Sequence, residues 1–224
     1  MTPLEYGEPT GDPNLGDESA RDLEVLSNHI EKHWGCVAEV FHEVVSEYAH
    51  IDLHISPATD SRPYHIVVTT GMSDRPMELA EPQETQYYCE LLIALPKEWP
   101  IKHETFTDEK VWWPFRQLKQ AARFPHVHRT LLWYGHTITN GDPPPLYVPS
   151  LPFCGGILSF PLLSPKEAWQ CRVHEQKTVH FLSFVPLHAS ELRYAWKNSS
   201  ESLFEKMDDN HISELLVVNR PACV

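Results

Sequence analysis

The chain has 224 residues, of which 42% are hydrophobic and 22% charged, and its formal net charge is −13. That length predicts one large domain or two small ones around a sizeable core, and no apolar run approaches the ~20 residues of a membrane-spanning helix. The negative charge disfavours phosphate backbones and anionic lipid surfaces, which excludes nucleic acid and membrane as expected partners, and it speeds encounter with a basic one.

In chain order, residues 1–18 carry Glu5, Glu8, Asp12, Asp17 and Glu18 and no Lys or Arg, which predicts a flexible acidic arm ahead of a domain over 19–224. The N-terminus has no basic or apolar signal region, so the expected location is the cytoplasm. Leu23, Leu26, Ile30 and Trp34 recur at helical spacing, predicting a helix from about Glu18 to His33 that Gly35 ends. Val37–Val45 and Ala49–Ile55 read as antiparallel strands joined at Ser46-Glu47-Tyr48, and Tyr64–Thr70 as a third strand. "TQYYCELLIALP" is a fourth, apolar enough to be central and covered on both faces.

"DEKVWWPFRQLKQAARFP" turns from acidic to basic as a helix dipole favours, and Pro114 places the start of its regular part near Trp113. "RTLLWYGHTI" fits a short strand or a helix, and the proline-rich 141–152 stretch is irregular. Ile157–Leu162 and Thr178–Pro186 read as strands. "HASELRYAWKNSSESLFEKMDDN" reads as a helix with Leu192, Ala195, Trp196, Leu203 and Met207 facing the core, and "SELLVVN" as a last short strand. The predicted class is α+β: one domain with a mixed, mainly antiparallel sheet flanked by helices.

Few side-chain sets suggest chemistry. His50, Asp52 and His54 alternate and would share one strand face, a set that a metal-dependent hydrolase could use; the blander reading is a polar sheet face, because parallel side chains do not converge. His29 and His33 lie one helical turn apart but lack the HExxH glutamate, Ile30 standing in its place. Ser73 in "GMSDR" is not a nucleophile elbow, since Arg75 replaces the second glycine. Cys154 precedes Gly155-Gly156 with no base tied to it by pattern. The five cysteines, Cys36, Cys89, Cys154, Cys171 and Cys223, form no CxxC pair and predict reduced thiols. No phosphate-binding or dinucleotide fingerprint occurs, so neither a cofactor nor a metal is expected.

The segment after the third strand is richer. Met72 and Met77 are adaptable apolar contacts, and Asp74 and Arg75 can form directional, charge-assisted bonds. Such a mixture suits recognition. The alternative is that both methionines fill core gaps and Asp74 pairs with Arg75 or caps the turn.

"HEVVSEYAHIDLHISPATDSRPYHIVVTTGMSDRPM" followed by "YYCELLIALPKEWP" resembles the suppressor-of-fused domain family in its bacterial, stand-alone form. The matching features are His42-Glu43, Ser46, His50-Ile51-Asp52, Pro57, Gly71-Met72-Ser73-Asp74, Met77, Glu90-Leu91, Leu95-Pro96 and Trp99. "VHFLSFVPLHASELRYAW" is similar to the family's strand that runs into a helix, and the resemblance covers about residues 29–218. It implies a protein-binding domain that is not an enzyme. In animals the family sequesters a zinc-finger transcription factor of the Gli type, clasping a short peptide between this domain and a second, C-terminal region, a two-lobed clamp that is not expected of this chain. Bacterial relatives have been proposed as immunity proteins against toxin domains. The expected partner is therefore a protein or peptide, for instance a basic toxin domain, gripped by Tyr64, His65, Met72, Ser73, Asp74, Arg75, Met77 and Glu78, with the chain itself a monomer or weak dimer.

Overall fold

The computed structural model describes residues 13–42, 49–78 and 85–224. Among the described residues, eight strands form one sheet: β1 (Glu39–Phe41), β2 (Asp52–Ser56), β3 (Tyr64–Thr70), β4 (Tyr88–Pro96), β5 (Thr137–Thr139), β6 (Phe153–Ser159), β7 (Gln170–His174) and β8 (Lys177–His188). Their order is β1-β2-β3-β4-β8-β6-β5, and β7 pairs with β8 beside that path. Of these strands β4 and β8 run parallel, matched from Tyr88–Val179 to Leu92–Ser183, and the other described pairs are antiparallel. The α-helices among the described residues flank the sheet: α1 (Pro13–Trp34), α2 (Glu109–His128), α3 (Ala189–Lys197) and α4 (Ser200–Asp209).

Alternation along β4 explains why it is apolar throughout. Leu91, Ile93 and Leu95 face α2, where Trp113, Phe115 and Leu118 are fully buried. Leu92 and Ala94 point the other way, into a cluster with Leu26, Ile30 and Trp34 of α1. Side chains two apart share a face, so the central strand needs apolar residues at both parities. A third cluster joins Ile157, Val185 and Leu187 to Leu192 and Leu203 of α3 and α4.

The mixed, mainly antiparallel sheet matches the expectation, while several boundaries move. The first helix begins at Pro13, within the stretch read as an arm, and residues 1–12 lie outside the described residues. β1 ends at Phe41, and the expected Ser46-Glu47-Tyr48 turn also lies outside them. α2 starts at Glu109, because the Asp108 side chain accepts from the Lys110 N–H at 2.9 Å and so supplies the cap ahead of Pro114. β6 starts at Phe153, earlier than Ile157.

The expected single late helix is two. Ser199 accepts from the Ser202 N–H and starts α4 on a new phase, so Trp196 is 55% exposed instead of facing the core. "SELLVVN" makes one isolated bridge, Leu215 to Ala94, and no strand. "RTLLWYGHTI" contributes only the short β5.

Candidate functional site

The segment after β3 is fixed from below. The regular β3–β4 ladder ends at Val68–Leu92, and the Thr69 hydroxyl takes over. It accepts from the Leu91 N–H at 2.8 Å and donates to Glu90 Oε2 at 2.6 Å. Gly71 then turns the chain at φ +100°, where a Cβ would stand 1.8 Å from the His50 carbonyl oxygen. Only glycine fits there, on both conformational and steric grounds.

Met72–Asp74 forms one 3₁₀ turn. Ser73 donates to Glu90 Oε1 twice, from its N–H at 2.9 Å and its hydroxyl at 2.7 Å. His126 of α2 donates from Nε2 to the Met72 carbonyl at 2.8 Å. The Met77 N–H donates to the Tyr87 carbonyl at 2.9 Å, and its sulfur accepts from the Leu132 N–H at 3.3 Å. Met72, Ser73 and Met77 are therefore buried, and the backbone between them is pinned to β4 and α2.

Glu90 is fully buried among these neutral donors. Burial pushes its carboxyl up to about 7, with the Ser73 and Thr69 bonds pulling the other way. A proton, in place of a cation, neutralises the group beneath the turn over much of the acidic range.

Asp74, Arg75 and Glu78 face outward. Arg75, Glu78, His126 and Arg129 line a depression of about 310 Å³, and Arg129 Nε lies 3.2 Å from Glu78 Oε2. Asp74 is exposed as a residue, yet the packing around it still raises its carboxyl, against the pull of Lys177. Burial lowers the pKa of His126. The result is a mixed-charge rim on a rigid base.

The remaining expected residues lie elsewhere. Tyr64 and His65 begin β3, about 20 Å from the turn at ~3.3 Å per residue. His65 accepts from the Ala58 N–H at 2.9 Å and donates to the Lys97 carbonyl at 2.9 Å, so it ties two loops together. The Tyr64 hydroxyl donates to the Leu163 carbonyl at 3.3 Å.

Asp52 sits between two imidazoles, His42 Nδ1 at 2.8 Å and His50 Nε2 at 3.0 Å, while His54 Nε2 meets the Thr70 hydroxyl at 2.9 Å. Among the described residues no three His, Cys, Asp or Glu converge as a metal site. His29 donates to the Ala168 carbonyl at 3.1 Å and stacks on Phe181. Cys154 is buried, and burial raises its thiol pKa. Its two glycines serve packing: a Cβ would stand 2.7 Å from Leu192 at Gly155 and 2.4 Å from Phe184 at Gly156.

Sequence reasoning named Glu90 as a matching feature but gave it no role, and it overlooked His126 and Arg129. A lone glutamate in a run as apolar as "CELLIAL" was the available signal, since a buried carboxylate needs donors. Nothing in the α2 sequence points towards the turn.

Together these features define an open-sheet α+β domain with a rigid, charged turn at the end of a central hairpin. The sequence model of the Suppressor of fused protein (SUFU) family matches residues 47–221, and the chain belongs to that family. No curated protein matches the sequence.

Solved structures share the fold. A SUFU homologue from Neisseria gonorrhoeae FA 1090 superposes with a TM-score of 0.63 at 17% identity, covering 93% of this chain and 98% of that one. A chain of the Sufu–Fu complex gives 0.59 at 12% identity, over 90% and 92%. Drosophila Suppressor of Fused gives 0.58 at 12% identity, and 96% of this chain spans about half (54%) of that protein. Among the described residues no helix is long and apolar enough to cross a membrane.

Proposed function

We propose that the chain is a non-enzymatic protein-binding module of the bacterial stand-alone suppressor-of-fused type, acting in the cytoplasm by sequestering a basic protein, for instance a toxin domain. Asp74, Arg75 and Glu78 make the contact, and Met72, Ser73 and Met77 hold them in place. The observation that carries this reading is the combination of a backbone tied down by Glu90 and His126 with charged side chains left outside. Preorganised side chains lose less freedom on binding than those of a mobile loop.

Family membership supports the reading, as does the Sufu–Fu complex, in which a fold of this kind is found with a protein partner. The −13 charge steers a basic partner inward, and the mixed signs of the rim fix its register.

The test is capture from the native host with wild type and an Asp74→Arg/Arg75→Glu variant, followed by titration of the purified partner. The variant is expected to bind roughly ten-fold or more weakly at an unchanged melting temperature. Equal affinity for the two proteins would overturn the assignment.

A further inference from the structure

A second surface is built from residues outside the turn. Four rings from three parts of the chain stack in order, Phe204, Tyr134, Phe160 and Trp169. Their centroids are 4.9, 4.7 and 4.8 Å apart and their planes lie within 21°, 17° and 4° of each other. All four are half-buried, so the ladder reaches the surface. It is held in register where the Ser200 hydroxyl donates to the Gly135 carbonyl at 2.6 Å, docking the start of α4 beside Tyr134.

The α4 sequence borders this ladder with negative charge. Glu201, Phe204, Glu205 and Asp208 fall at i, i+3, i+4 and i+7, one face of a helix, and the three acids are exposed. Burial raises the pKa of the Tyr134 hydroxyl, and the charges of Glu201 and Asp208 push it the same way. At the opposite end of the ladder, Lys166 Nζ stands over the Trp169 ring, 5.9 Å from its centroid. That end already takes a cation from the chain's own sequence. The Phe204 end has the rings and the counter-charges, and among the described residues no cation is stacked on Phe204 or Tyr134.

We propose that the Phe204–Tyr134 end of the ladder, with Glu201, Glu205 and Asp208, is a docking surface for an arginine-bearing segment of a protein partner. A guanidinium stacks on an aromatic ring while bonding a carboxylate, which an ammonium does less well. Complementary charge selects this occupant over nucleic acid, which the same acids repel. The surface shares no residue with the 71–78 turn, and the inference stands whether or not that turn binds.

The probe is a synthetic peptide of alternating arginine and serine, compared with its lysine counterpart and titrated into the full chain by calorimetry. The arginine peptide is expected to bind at least about three-fold more tightly than the lysine one. Phe204→Leu, which keeps the apolar packing, removes that preference, and Glu205→Lys/Asp208→Lys weakens binding by roughly ten-fold. Charge reversal at Glu39 and Asp60, exposed on the β1–β3 side, changes it less than about two-fold. Equal loss from the two reversals would assign the attraction to net charge and overturn the proposal. Absence of binding, or an unchanged arginine preference in Phe204→Leu, would also overturn it.

Discussion

Two fully buried glutamates solve the same problem in opposite ways. Glu191, on α3, is held by Arg220, whose Nη1 and Nη2 lie 2.5 and 2.7 Å from its two oxygens, and it also accepts from the His188 and Cys223 N–H groups. Burial raises its carboxyl, but the hydrogen bonds and charge of Arg220 outweigh that, and it stays below the ordinary range. Glu90 has only neutral donors and is raised to about 7. The first arrangement locks the C-terminal segment onto the fold with a carboxylate that keeps its charge below the ordinary range. The second supports the exposed turn with a group whose charge changes near neutrality. A buried carboxylate thus marks either a permanent clamp or a pH-responsive support, and the presence of a cation decides which.

The largest expected effect comes from breaking the clamp. Arg220→Ala leaves Glu191 buried and uncompensated and is expected to cost about 3–5 kcal/mol in urea unfolding. Gly71→Ala follows: with φ at +100° and the His50 carbonyl in the way, the turn must move, at about 3 kcal/mol or more, and the melting temperature should fall clearly.

Third is the pH response of Glu90. Its folded pKa lies above its ordinary value, so between about 4.5 and 7 the folded state keeps a proton that the unfolded chain has lost. Stability therefore falls as pH rises through that window and levels off above it, by about 3 kcal/mol in all. Glu90→Gln should flatten this slope, which urea melts at about pH 5 and about pH 8 would read. A slope left intact in Glu90→Gln would assign it to another group. The smallest expected effect is on the rim, where Asp74→Arg/Arg75→Glu shifts unfolding by less than about 0.5 kcal/mol, leaving any binding loss attributable to contact.

Much of the fold was legible because periodicity reports burial. The two-sided apolar run of β4 named its environment correctly, and so did Leu26, Ile30 and Trp34 of the first helical stripe, whereas Leu23, read on the same face, is exposed. Legibility failed where a local cap or a distant partner decides. The Ser199 cap split one amphipathic pattern into two helices and turned Trp196 outward. β7 was missed because only Cys171 and Val173 alternate inward along "QCRVH", and its pairing depends on β8. "SELLVVN" is apolar enough for a strand, yet Glu214 turns inward to accept the Leu163 N–H and pairing stops at one bridge.

At the candidate site, the residue types of 72–78 were readable but their division into buried supports and exposed contacts was not. Met72 and Met77 are core residues because Tyr87 and the sequence-distant Leu132 bond to Met77, and α2 closes over Met72.

The most direct test of the turn as a contact surface is site-specific photocrosslinking in the native host. A benzophenone amino acid replaces Arg75 in one variant and Asp60, exposed in the loop between β2 and β3, in another. A single protein crosslinked through position 75 and absent at position 60 is the predicted result. Crosslinks to that protein from position 60 but none from position 75 would contradict it.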